Sequence, residues 1–220
     1  MEGLELDPIK LTPPLDWEAI FGNRDPVEIE IGFGKGYFLI RSALENPGKN
    51  YLGVERSQKC YRITKERILK RGLKNIRIVK TDAEYLVSGL IPDASVSAYH
   101  IYFPDPWPKR RHAKKRLFKE SFVVHLERTL VPGGRLYVAT DVLSYYGTIL
   151  ELITTKPRWR SLMPRTGDWQ PSPCPLPPFG LEGLGNYEIK YRKEGREIYY
   201  GCFEKSTNEE TNKSRSVVQL

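Results

Sequence analysis

Cysteine is scarce in this chain: Cys60, Cys174 and Cys202 are odd in number and widely spaced. That excludes a disulfide framework, leaves no ligand-like pairing for zinc or another metal, and fits a reducing compartment. Long apolar runs are absent too, as are lipidation signals, which removes a spanning helix or a lipid anchor from consideration. The start Met1-Glu2-Gly3-Leu4-Glu5-Leu6-Asp7 is acidic and lacks the hydrophobic stretch of a signal peptide. Together these absences predict a cytoplasmic protein with no membrane partner. There are no internal repeats. No segment calls for an obligatory protein partner, and both a monomer and a homodimer are compatible with the chain.

What is present is more pointed. The 220 residues suit one domain with a full core. The formal net charge is +8, and the six Lys/Arg of segment 109–116 hold most of it, since without them +2 remains. A positive charge gathered in one place is the footprint of a nucleic acid or another polyanion.

Short β-branched runs alternate with helical patterns. Val27–Ile31, Tyr51–Glu55, Ile76–Val79, Ser95–Tyr102 and Arg135–Thr140 read as strands, and Arg196–Phe203 as a terminal one. Helices are expected over Tyr37–Leu44, from Ser57 as cap to about Gly72, over Leu117–Leu130, Val142–Thr155 and Asn186–Glu194. Pro132-Gly133-Gly134 reads as a turn. The stretch 164–185, rich in proline and glycine, reads as a lid or a disordered connection. Residues 1–26 are expected to form an extension, 27–205 the domain, and 206–220 a polar tail without a core pattern. The alternation predicts a doubly wound, mostly parallel α/β sheet, whose ligands bind at the carboxyl ends of the strands near the switch in strand order. Glu55, Asp82, Asp105 and Asp141 all fall at or just after such ends.

Three local patterns carry chemistry. Glu30-Ile31-Gly32-Phe33-Gly34-Lys35-Gly36 follows a strand and opens a helix, and Gly32 and Gly34 let the backbone turn and approach a ligand closely. The spacing departs from the dinucleotide pattern, because Tyr37 stands where a third glycine belongs. The preceding acid, Glu30, would repel a pyrophosphate and attract a cationic ligand, which favours S-adenosyl-L-methionine over a nicotinamide dinucleotide. Glu55 stands nineteen residues after Gly36, where a carboxylate can accept from ribose hydroxyls. Asp82 can accept from an adenine amino group while the amide of Ala83 donates to a ring nitrogen; a turn-forming Asp is the competing reading. Finally, Phe103-Pro104-Asp105-Pro106-Trp107-Pro108 holds one carboxylate among three prolines, directly before the basic tract.

These motifs, with Gly53-Val54-Glu55, Lys109-Arg110-Arg111-His112 and Gly134-Arg135-Leu136-Tyr137-Val138-Ala139-Thr140-Asp141, resemble the bacterial tRNA (guanine-N7-)-methyltransferases. The likeness runs from about Val27 to Phe203. It implies the Rossmann-like class I methyltransferase fold, a seven-stranded sheet whose last strand runs antiparallel. It also implies methyl transfer from S-adenosyl-L-methionine to N7 of the guanosine at position 46 in the variable loop of tRNA. On matching positions, Glu30, Gly32, Glu55, Asp82 and Asp105 would line the cofactor site, with Asp105 catalytic. Lys109 and Asp141 would contact the substrate, and the tract with Arg111, His112, Lys114, Lys115 and Arg116 would hold tRNA. The family's substrate-binding Thr-x-Tyr/Phe-Glu motif is represented by Gly185-Asn186-Tyr187-Glu188. The threonine hydroxyl is therefore lost, or its part is taken over by Asn186.

Guanine N7 is an unprotonated acceptor, so the reaction needs alignment more than a general base. Asp105 can stabilise the charge that develops on the purine or hold the guanine N1–H and N2–H₂ edge. Trp107 is either a base-stacking ring or a core ring. The rival classes are a nicotinamide-dependent oxidoreductase and a non-catalytic RNA-binding module. The acid before the glycine loop speaks against the first, and the rim of acids against the second.

Overall fold

Runs of Val, Ile and Tyr with little charge must lie between other strands, and the chain arranges them so. The computed structural model describes residues 3–162 and 186–207, with only the backbone of Arg110 and Asn186. The expectations for 164–185, including Gly185, for Cys174 and for the tail beyond 207 fall outside the described residues. In chain order the elements are β1 (Glu5–Leu6), α1 (Trp17–Phe21), β2 (Val27–Ile31), α2 (Tyr37–Glu45), β3 (Asn50–Val54), α3 (Gln58–Arg71), β4 (Ile76–Val79) and α4 (Ala83–Gly89). After them come β5 (Val96–Tyr102), a 3₁₀ helix (Arg110–Lys115), α5 (Glu120–Thr129), β6 (Leu130–Thr140), α6 (Leu143–Thr154), β7 (Trp159–Ser161), α7 (Asn186–Lys193) and β8 (Tyr199–Lys205).

The strands form one sheet in the order β1-β4-β3-β2-β5-β6-β8-β7. All pairs from β1 to β6 are parallel, and β8 lies antiparallel between β6 and β7. The chain winds outward from β2 through β3 to β4, then returns to place β5 on the other side of β2. The β2/β5 boundary is therefore the switch point. One core cluster joins Ile29, Ile31 and Val79 to Leu86 of α4, Phe122 and Leu126 of α5, and Tyr145 and Ile149 of α6. A second joins Ile76 and Ile78 to Leu39 and Ala43 of α2 and Tyr61 and Ile68 of α3.

Local chemistry explains most boundaries. Ser57 accepts from the Cys60 amide to cap α3, and Gly72, at φ 64°, closes it. Where seven strands were expected, the described residues hold eight, because Glu5–Leu6 pairs with Ile78–Val79 at the open edge. Pro132-Gly133-Gly134 is no turn between elements. It is an irregularity inside β6, where the register jumps from Val96↔Leu130 to Ala98↔Arg135. The helix expected from Leu117 begins only at Glu120, since the basic tract before it coils as 3₁₀. Among the described residues, no helix is long and apolar enough to cross a membrane.

Candidate cofactor and RNA site

The site grows from the carboxyl ends of β2 and β5. All five residues of β2 are buried, including both acids of Val-Glu-Ile-Glu-Ile. After Ile31 the chain turns through Gly32, Gly34 and Gly36, at φ 78°, 52° and 70°. Only glycine takes such angles without strain, and at Gly36 a Cβ would also collide with the Thr64 side chain of α3. Gly36 caps α2 without a side chain, so the first-turn amides are left to other partners. The Glu30 carboxyl lies beneath that turn. It is 5% exposed, and its Oε2 has no hydrogen-bond partner. Burial, with the charge of Glu55 added, pushes Glu30 up to about 8, against a smaller opposing pull from the Leu39 amide. A buried acid with an unpartnered oxygen fits a ligand that brings a positive charge, and suits a pyrophosphate poorly.

Glu55, just beyond β3, ties the glycine loop down. Its Oε2 accepts from the Gly34 amide at 2.8 Å, and its Oε1 from the Arg56 and Ser57 amides at 2.8 Å each. A carboxylate has about four lone-pair sites, so one on Oε2 remains. A ribose diol would thus find one acceptor on Glu55, not the two that a free carboxylate offers. Asp82 is the N-cap of α4: Oδ1 accepts from Glu84 and Tyr85, and Oδ2 faces Arg56 at 3.5 Å. The capping role accounts for an Asp there, and Oδ2 is the oxygen left to meet a ligand. Ala83 opens the helix and is buried.

The Asp105 loop follows β5, next to β2 through the pairing of Ile31 with Ile101. Asp105 is exposed and, among the described residues, takes no hydrogen bond or ion pair. Two non-glycine residues with positive φ bracket it, Phe103 at 52° and Trp107 at 40°. Such angles cost on the order of 1–3 kcal/mol each and persist where surroundings impose them. Trp107 is neither a core ring nor a free platform. It is half-buried, with His112 edge-on at 5.6 Å and the Lys115 ammonium 4.9 Å from the ring centre. Lys109, Arg111 and Lys114 are exposed. Arg116, expected among the RNA contacts, is turned inward: its Nε donates to the Pro106 carbonyl at 2.9 Å and its Nη2 to that of Trp107 at 3.4 Å.

The C-terminal elements close the other side. Asp141, at the end of β6, accepts from Arg196 at 2.8 Å. In α7 Tyr187 is exposed and packs near Phe103, 6.2 Å between centroids, as does Tyr191 at 5.5 Å. Glu188 is buried and accepts from Arg192 and from the Tyr200 hydroxyl. Asn186 begins the helix. The structure therefore groups Glu30, Gly32, Gly34 and Glu55 in one cradle, and the Asp105 loop with Tyr187 beside the neighbouring strand.

Sequence reasoning missed a buried polar row beneath this rim. Glu28 pairs with Lys49 at 2.7 Å and with His100 Nε2 at 2.9 Å, while His100 Nδ1 meets the Tyr102 hydroxyl at 2.9 Å. Burial works to raise Glu28, but His100 and Lys49 outweigh it and bring it down to about 2. Acids at i and i+2 of a central strand were the available sign, since they must share a buried face.

A doubly wound sheet with a glycine loop at its switch point and β8 antiparallel beside β6 is the arrangement of the class I methyltransferases. The solved antibiotic-resistance methyltransferase Kmr shares this fold, with a TM-score of 0.56 and 18% identity over 88% of this chain and 92% of its own. The family model described as "Putative methyltransferase" matches residues 24–200. A Geobacter metallireducens tRNA (guanine-N(7)-)-methyltransferase is 34% identical over 91% of this chain and 92% of its own length. The enzyme of the same name from Aliivibrio fischeri is 35% identical over 81% and 77%. The chain belongs to the tRNA (guanine-N(7)-)-methyltransferase family.

Proposed function

We propose that this chain methylates N7 of a guanine in tRNA, the variable-loop guanosine, with S-adenosyl-L-methionine as the methyl donor. The observation that carries this reading is the unpartnered Oε2 of buried Glu30 by the glycine loop, one strand from an exposed Asp105 that is unpaired among the described residues. Glu30 and the backbone at Gly32 and Gly34 would hold the amino-acid end of the cofactor, Glu55 a ribose hydroxyl, and Asp82 with Ala83 the adenine. When bound, the cofactor supplies an electrophilic methyl group on a sulfonium.

The chain's own residues have a limited task. Guanine N7 carries a lone pair and no proton, so no side chain needs to act as general base. Alignment of two reactants is worth roughly 7–11 kcal/mol. Asp105, as an ionised acceptor, can take the N1–H and N2–H₂ edge of the guanine or face the positive charge that develops on the ring. Tyr187 beside Phe103 offers a ring face for a base drawn out of its stack. Asp141 and Asn186 would line the substrate side, with buried Glu188 behind them holding Arg192 and Tyr200. Lys109, Arg111, His112, Lys114 and Lys115 would meet phosphates, His112 and Lys115 only after leaving Trp107.

The test is nucleoside mass spectrometry on unmodified tRNA transcript incubated with the chain and labelled S-adenosyl-L-methionine. Label is expected in 7-methylguanosine and should vanish in Asp105→Ala, with tRNA affinity within a few-fold of the original. Label in a different nucleoside would discard the N7 assignment, and an active Asp105→Ala would discard the role of that residue.

A further inference from the structure

The Asp105 loop cannot hold itself. Pro104, Pro106 and Pro108 have no amide hydrogens, and Phe103 and Trp107 occupy backbone angles that they do not adopt unaided. On the strand side the loop is fixed by the Phe103 amide, which donates to the Ala139 carbonyl at 2.7 Å. On the far side its fixed point is Arg116. The Arg116 amide closes the 3₁₀ helix on Ala113, and its side chain folds back to fork the Pro106 and Trp107 carbonyls. The guanidinium lies 5.3 Å from the centre of the Tyr145 ring, which is 1% exposed and packs edge-on against Phe118. The Tyr145 hydroxyl accepts from the Phe118 amide at 3.4 Å. A chain of contacts thus runs from the core through Tyr145 and Arg116 to the two residues that follow Asp105.

We infer that Arg116 is a positioning residue: seated on Tyr145, it sets the Asp105 loop in its strained form instead of binding RNA phosphate. This rests on the methyl-transfer reading for its catalytic consequence. The planar fork suits two carbonyls at once, and a lysine would supply donors without that geometry. The tract is therefore divided in its work, with Lys109, Arg111 and Lys114 outward and Arg116 inward.

Arg116→Gln and Arg116→Lys test it in the full chain. At saturating tRNA and S-adenosyl-L-methionine, Arg116→Gln should slow 7-methylguanosine formation about 100-fold, the loss expected from a misplacement near 1 Å. Arg116→Lys should fall between. Amide exchange in residues 103–109 should quicken while exchange in the core strands stays as it was, and the salt slope of tRNA binding should not change. A slope shallower by about 0.9 with turnover and local exchange unaltered would make Arg116 a phosphate contact and overturn the inference. So would exchange raised throughout the chain, which marks a merely structural residue. If the unaltered chain forms no 7-methylguanosine, the methyl-transfer reading fails by itself, and exchange in 103–109 still decides whether Arg116 holds the loop.

Discussion

Glu30 sets function against stability at a single carboxyl. Its ordinary value of 4.5 rises to about 8 because burial disfavours the charged form, with Glu55 adding repulsion. Between those values the folded chain holds the proton that the unfolded chain has already released. The unfolded state then binds fewer protons, so stability falls as pH rises through the window and is lowest above 8. Each unit is worth about 1.4 kcal/mol, which makes the whole penalty on the order of a few kcal/mol. Glu30→Gln should therefore stabilise the ligand-free chain in urea at pH 8.5 and leave it nearly unchanged at pH 4.5. Binding should respond in the opposite sense. A ligand ammonium needs the carboxylate, so S-adenosylhomocysteine should bind more tightly from pH 6 to pH 8, and Glu30→Gln should flatten that trend. Parallel calorimetric curves for the two proteins would show that Glu30 does not meet the cation. The sequence betrays this residue by its place before a glycine loop. It does not betray that Glu55 would be three-quarters occupied by amides, or that Arg116 would point inward, because both depend on how a loop folds back on itself.

At the scale of elements, α4 shows how one side chain can serve both helix and ligand. Asp82 caps it through Oδ1, and replacing such a cap with alanine costs about 1 kcal/mol. Asp82→Ala should thus lower the melting temperature, while Asp82→Ser, itself a good cap, should restore most of it. If Oδ2 also meets the adenine, both variants should weaken S-adenosylhomocysteine binding alike, whatever their stability. Affinity that recovers along with stability in the serine variant would leave Asp82 a cap only. The strands β2 to β6 and β8 are legible because each carries a run of β-branched or aromatic residues bounded by turn signals. The elements that escaped are those with little of their own to show, the five-residue α1 and the seven-residue α4 among them. β1 has two residues and β7 three, and both exist because a partner strand offers an edge. The irregularity at Pro132-Gly133 was hidden by its own chemistry, since Pro-Gly reads as a turn wherever it stands.

Over the whole molecule, charge is apportioned in a way that composition alone conceals. The acids Glu30, Glu55 and Asp105 gather at the carboxyl ends of β2, β3 and β5, while the exposed Lys109, Arg111 and Lys114 stand at the start of and along the 3₁₀ segment that continues from the same loop. A rim of acids suited to a cationic ligand and a positive ledge for a polyanion thus adjoin through Asp105. A second set of basic residues, Lys59, Arg62 and Lys70, is also exposed, but it stands on α3, which follows β3, two strands away from the β5 loop that carries Asp105. Each phosphate neutralised on duplex contributes about 0.9 to the slope of log affinity against log salt. Replacing Lys109, Arg111 and Lys114 together with alanine should then make tRNA binding shallower in salt by roughly two to three. Its affinity should fall most at 50 mM salt and converge with that of the original chain near 300 mM. The matching triple replacement on α3 should leave the slope where it was. Equal losses from both triples would mean that binding follows net charge, with no ledge at all, and tRNA would have no fixed orientation over Asp105.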